Sequence, residues 1–275
     1  MPAFATPNPI TATLTTAGAR VRVTAGERSD TVVHVEPVDS ANKTDVKVAQ
    51  NTEVGFAGGE LSIKTTKSGA KTGSVAITIE LPAGSKLVLD TAWSDVHATG
   101  PLGDCDLNTV SGQVRLDRVA SLRGNLGDGG VETAHVAGTV DIDGGAAGLR
   151  IGEVEGTVRY QGTTGKVWIG HARSDVALGG SNGSFTIDRA DGDLTARAAG
   201  CPIRIGRVTR GHAELANASG GIEIGIGEGT TAEVDADSTK GVVRNTLPAR
   251  DDLADTVKVY ARTRLDDIVI HRATA

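Results

Sequence analysis

One short segment recurs through the middle of this 275-residue chain. SGQVRLDRV, GGVETAHV, AGLRIGEVEG, TGKVWIGHA, NGSFTIDRADG, CPIRIGRV and GGIEIGIGEG share a template, a small-residue turn followed by apolar, polar and apolar residues. Their first apolar residues are Val114, Val131, Leu149, Val167, Phe185, Ile203 and Ile222, at successive gaps of 17, 18, 18, 18, 18 and 19. The register extends back to Val96 and forward to Val242. A fixed period of this length is the signature of a repeat architecture and overrides any reading of the chain as an ordinary globular domain.

Around each anchor the residues form columns. Two positions on stand Leu116, Ile151, Ile169, Ile187, Ile205 and Ile224, interrupted by Thr133 in the rung that is one residue short. Five positions on stand Val119, Val136, Val154, Ala172, Ala190 and Val208, and ahead of the anchors come Val140 with Ile142, Val158 with Tyr160, and Val176 with Leu178. Apolar and polar residues that alternate, rich in β-branched types, predict half-buried strands, at least two per repeat. Glycine recurs two positions before the anchor at Gly112, Gly129, Gly165, Gly183 and Gly220, where a turn needs positive φ or close backbone approach.

A strand pair that returns to register every 18 residues cannot bury its apolar side alone, and stacked coils turn each column into a continuous ladder. The expected fold is therefore all-β, a single parallel β-solenoid with capping strands at both ends. The inward positions are spaced 7, 2, 3, 4 and 2 around the coil, without the sixfold subdivision of a hexapeptide helix. Parallel crossovers favour the right hand, so a right-handed β-helix is expected. Three regions of one continuous domain follow: residues 1–82 as a capping and first-coil region, 83–244 as the repeats, and 245–275 as a loop and closing strands. A polar stretch from Asp39 to Asn51 reads as a loop.

Composition narrows the function classes. The chain has 28 basic and 34 acidic residues, a net charge of −6, interleaved without a run of five like charges. No polybasic arm is available for nucleic acid or for an anionic membrane. No window of 18 apolar residues is present, and the opening MPAFATPNPI lacks the basic and apolar regions of a secretory signal, so a cytoplasmic location is expected. Cys105 and Cys201 show no metal spacing and fall five rungs apart, roughly 24 Å at one strand spacing per rung, too far for a disulfide. Two free thiols are expected, as suits a reducing compartment.

ELPAGSKLVLDTAWSDVHATG at residues 80–100, followed by SGQV, TGKV and NGSF turns, resembles the bacterial putative-adhesin family of β-strand-repeat domains of unknown function. Leu81 and Pro82 match that family's Leu-Pro turn, whereas Ser94-Asp95 and Asp266-Asp267 stand where glycine is usual. The resemblance covers most of the chain and implies a β-solenoid without catalytic residues.

Few residues suggest chemistry. GGSNG, Gly179 to Gly183, matches the G-x-S-x-G nucleophile elbow, but that motif works only where a strand turns into a helix, and a rung turn offers none. Acidic residues such as Asp117, Asp188 and Asp191 do not gather in one column and read as turn residues. Four positions past the anchor, however, Arg118, His135, Glu153, His171, Arg189 and Arg207 fall in one outward column about 4.8 Å apart. These residues, with the outward Trp168, form the candidate binding stripe. The bland reading of the stripe is a solvated face of alternating charge.

The expected function is a non-enzymatic binding or scaffolding protein with no cofactor, working as a monomer or weak oligomer on a protein or polymer partner. Two alternatives stand beside it. One is self-assembly, since the cytoskeletal bactofilins are similar in repeat length. The other is a metal- or ligand-binding enzyme that uses the His135, Glu153 and His171 column.

Overall fold

The computed structural model describes residues 2–65, 73–247 and 255–273. They divide into two compact units, Met1–Ala137 and Gly138–Ala275. Both are built of strands, with one helix among the described residues.

In the first unit, β1 (Ala3–Ala5), β2 (Thr11–Ala17), β3 (Ala19–Gly26) and β4 (Asp30–Pro37) precede helix α1 (Lys43–Gln50). Then come β5 (Glu53–Ala57), β6 (Glu60–Lys64), β7 (Val75–Pro82) and β8 (Lys86–Ala92). The long β9 (Asp95–Thr109) and β10 (Gln113–Leu126) and the shorter β11 (Gly130–Val136) complete the unit. The rungs stack in parallel, with Val96 opposite Val114 and Val114 opposite Val131, as the repeat register requires. The first coil in the chain is not the outermost. β2 lies between β6 and β8, and β3 between β7 and β9, parallel to all four. The antiparallel strands β4, which also pairs with β1, and β5 flank this arrangement.

Residues 39–51 depart from the expected loop. Asn42 caps α1 by accepting a hydrogen bond from the Thr44 amide, and Asp45 lies in the first turn, where a carboxylate is favoured. The buried Asp45 also accepts from the amides of Asp39 and Ser74, at 3.0 and 2.8 Å. Only Val48 gives the helix a buried apolar anchor, so its mostly polar sequence lacks the stripe by which helices are read.

The second unit alternates strands between two faces. One face holds β12 (Val140–Gly144), β14 (Val158–Gly162), β16 (Val176–Asn182), β18 (Leu194–Gly200), β20 (His212–Ala216) and β22 (Thr230–Ser238). The other holds β13 (Gly148–Val154), β15 (Lys166–Ala172), β17 (Ser184–Ala190), β19 (Ile203–Val208), β21 (Ile222–Ile226) and β23 (Val243–Asn245). The final strands β24 (Asp255–Thr263) and β25 (Ile268–Arg272) form as expected, but inside the stack. β24 pairs with β20 on one side and β22 on the other, and β25 with β21 and β23.

This insertion corrects the anchor column. From Ile222 the column passes to Ile268 and then to Val243, so Val242 is not an anchor and is 54% exposed. Elsewhere the expected columns hold: Ile151, Ile169, Ile187, Ile205 and Ile224 are fully buried. Each such side chain contributes about 1.5–3 kcal/mol relative to exposure. Thr133, the polar break in that column, is also buried and donates a hydrogen bond to the Asp117 carbonyl. Tyr160 and Phe185 supply the aromatic bulk of the second unit's core in an edge-to-face pair with centroids 6.2 Å apart. Among the described residues no strand pairs with the outer edge of β22, and Glu233, Asp235 and Asp237 project along it. Charges on an open edge oppose pairing with another chain.

The turns explain the glycines. At Gly129, φ is 96°, and an added Cβ would fall inside the van der Waals envelope of the Gly112 carbonyl oxygen in the neighbouring rung. Gly129→Ala therefore meets both a strained backbone and a backbone clash. It is expected to destabilise the protein by about 2 kcal/mol or more, read by denaturant unfolding.

Candidate functional site

The residues of the predicted stripe fall in register within each unit. In the first, Arg118 pairs with His135 across β10 and β11. In the second, Glu153, His171, Arg189 and Arg207 are successive partners across β13, β15, β17 and β19. The column arises because each residue stands four past its anchor, on the outward side of its strand.

The structure adds a residue that this column did not contain. Asp191, just past the end of β17, accepts hydrogen bonds from His171 Nε2 at 2.7 Å, Arg189 Nε at 3.0 Å and Thr209 Oγ1 at 2.7 Å. The Arg210 guanidinium donates to its backbone carbonyl. On its other side the His171 ring faces Glu153, Nδ1 to Oε1 at 3.6 Å, and Glu153 also holds Arg173. Burial by itself would raise the Asp191 carboxyl, but the hydrogen bonds from Arg189, His171 and Thr209 and the Arg189 charge outweigh it. They hold the group well below the usual carboxylate range. Arg207 contributes differently: its Nε is buried without a hydrogen-bond partner among the described residues.

Trp168 is half-buried, and the Arg150 guanidinium lies 3.7 Å from its ring centroid in a cation–π contact. That face of the ring is thus occupied. The most exposed ring among the described residues is Trp93, 69% accessible, with a φ of 50° that is uncommon for a residue with a side chain. It follows Ala92, the rung partner of Ala17, and so occupies the turn position that Gly18 fills in the adjacent coil. The absent glycine at Ser94 was the available signal. The left-handed residue has moved one place earlier, and the Ser94 hydroxyl ties the turn by donating to the Ala92 carbonyl and accepting from the Ala19 amide, each at 3.1 Å.

The other chemical candidates resolve into structure. Ser181 lies near the end of β16, and after the Gly183 turn the chain enters another strand, so a nucleophile elbow does not form. Among the described residues no group of three or more His, Cys, Asp or Glu could hold a metal ion, and His135, Glu153 and His171 are not such a group. Cys105 and Cys201 are free and buried, and burial pushes their thiols up to about 12 and about 11, where almost no reactive thiolate is present at neutral pH. No helix among the described residues is long and apolar enough to cross a membrane.

What the arrangement defines is a β-solenoid of strand repeats with ordered charged columns on its outward faces. The sequence matches the Toastrack DUF4097 family over residues 12–259, and the chain belongs to that family. This agrees with the resemblance carried by Leu81-Pro82 and the SGQV-type turns. Among solved structures, the chain is similar to one described as a putative adhesin from Bacteroides fragilis, with 13% identity, coverage of 98% of this chain and 95% of that one, and a TM-score of 0.39. A second, described as a putative adhesin from Parabacteroides merdae, has 9% identity, coverage of 98% and 94%, and a TM-score of 0.40. No curated protein matches the sequence.

Asp191 gives the cluster a measurable signature. The folded carboxyl stays charged to lower pH than the unfolded one, so its stabilisation is complete above the ordinary Asp value of about 3.9 and is lost as the pH falls through that value and toward the lowered one. Asp191→Asn is expected to cost about 1–3 kcal/mol at pH 7, since it weakens three charge-assisted hydrogen bonds. The difference from the unsubstituted protein narrows as the pH falls below about 4, as urea unfolding across pH would record.

Proposed function

We propose that the chain is a non-enzymatic binding or scaffolding module that holds a protein or polymer partner against its outward side-chain columns. The observation that supports this reading is the Glu153, His171, Arg189 and Arg207 column, in which His171 and Arg189 are fixed by shared contacts to Asp191. Side chains already held in place lose less conformational freedom when a partner arrives, so such a column is pre-organised for recognition.

The same proposal places the protein in the cytoplasm as a monomer or weak oligomer that engages neither nucleic acid nor membrane. Two cysteines kept as thiols are compatible with a reducing compartment. The acidic row on the β22 edge, where a second copy would set carboxylates against carboxylates, works against self-assembly.

Arrays of peptides and polysaccharides probed with the intact protein test this. Selective retention is expected, weakened about tenfold or more by Arg207→Ala, a loss of about 1.4 kcal/mol. Absence of retention throughout would overturn the proposal, as would release of shortened products from a retained polymer, which would make the protein an enzyme.

A further inference from the structure

A second surface, in the first unit, carries a more specific inference. Positions on β3, β7, β9 and β10, with Glu36 of β4, line a groove of about 510 Å³ that contains Arg20, Arg22, His97 and Arg115. Register explains the grouping. Arg20 and Arg22 are two apart on β3 and so share one face, Arg22 is the rung partner of His97, and His97 is the rung partner of Arg115. Strand geometry then sets Arg20 and Arg22 roughly 6.6 Å apart along the strand, and Arg22, His97 and Arg115 at steps of about 4.8 Å across it.

The charges in this groove are unevenly satisfied. Of its two acidic residues, Glu36 contacts His34, and Asp95, the rung partner of Arg20, accepts the Gln113 amide at 3.1 Å without an ion pair to the Arg20 guanidinium. Arg115 has only a loose ion pair with Glu132, at 3.6 Å. The guanidinium groups of Arg20 and Arg22 have no hydrogen bond or ion pair among the described residues, although those of most other described arginines do. The groove therefore presents two unpartnered guanidinium groups with a third close by, in a chain whose net charge is −6.

We propose that this groove docks a short acidic peptide segment in extended conformation. An extended chain places side chains i and i+2 on one face at the same roughly 6.6 Å repeat that separates Arg20 from Arg22. Two alternate carboxylates can thus each meet a guanidinium fork in a charge-assisted pair. The strands that floor the groove are already paired on both sides, so recognition runs through side chains and not through addition of a strand. A short segment with a few carboxylates suits a local cluster on an acidic chain better than a long uniform polyanion, which the remaining negative charge repels. This assignment rests on the binding-module reading and names the partner chemistry at a second surface of the same module.

The test is fluorescence anisotropy of the full chain with a labelled ten-residue peptide bearing Glu at alternate positions, against the same peptide with Gln. The Glu peptide is expected to bind at least tenfold more tightly than the Gln peptide, and less tightly as salt rises. Arg20→Glu/Arg22→Glu should lose that binding at least tenfold, with circular dichroism and melting temperature unchanged because both residues are exposed. The charge-reversed control Lys64→Glu, on β6 outside the groove, should keep it. Equal binding of the two peptides, equal loss in the control, or tighter binding of a single-stranded oligonucleotide than of the Glu peptide would each overturn the proposal. Partners retained on the arrays with undiminished affinity for Arg20→Glu/Arg22→Glu would leave the binding-module reading standing while removing this groove from it.

Discussion

Parallel stacking of coils brings the backbone of each turn against the backbone of the turn below. The carbonyl oxygen of Ser94 occupies the space where a Cβ at Gly112 would project, and the Gly112 carbonyl does the same beneath Gly129. Turns of this kind accept almost nothing but glycine, and their spacing fixes the register of everything between them. Once the register is fixed, inward positions of successive rungs coincide and are apolar, as in the isoleucine column from Ile151 to Ile224, or carry a hydroxyl that bonds the backbone, as Thr133 does. Outward positions coincide as well, but their identity is unconstrained by packing. The charged columns and the arginine groove arise there, on positions whose side chains face away from the core.

The same ladder creates a difficulty at its edges, because a coil with a free side leaves backbone groups and apolar side chains unpaired. Each unit answers it by threading a terminal coil inward. β2 and β3 sit between the coils that follow them, and β24 and β25 sit between the coils that precede them. β2, β3, β24 and β25 are thereby hydrogen-bonded on both sides, where a strand tied on one side only would fray. The cost falls on the strands displaced outward: β22 keeps an open edge with half-buried Ala232, Val234 and Ala236, and β23 is exposed throughout.

Much of the fold was legible in the sequence because it depends on local repetition. The anchors from Val96 to Ile222, the columns beside them and the glycines two residues earlier all follow from one period, and within each unit the backbone pairs them as that period requires. The threading was not legible. TVKVYARTRLDDIVIHR alternates in the same way whether it closes a stack or enters one, and the choice is made by contacts far apart in sequence. Helix α1 was hidden for a different reason, its dependence on an Asn42 cap and on Asp45 hydrogen bonds in place of an apolar stripe. At the candidate site the column itself could be counted out residue by residue. Its central carboxylate, Asp191, could not, because it reaches back from beyond the strand end to His171 on another rung. Arg20 and Arg22 stood in plain view in ARVRVTA, but their importance depends on His97 and Arg115 lying beside them, which the inward threading of β3 brings about.

The rest of the structure depends on the threaded coils, and native-state hydrogen exchange followed by mass spectrometry reads their pairing strand by strand. Amides of β2, β3, β24 and β25 are expected to exchange as slowly as those of the interior strands β15, β17 and β19, and β22 and β23 are expected to exchange faster than β24 and β25 although they precede them in the chain. Rapid exchange of β24 and β25 ahead of β22 and β23, with β2 and β3 fraying likewise, would contradict the threading.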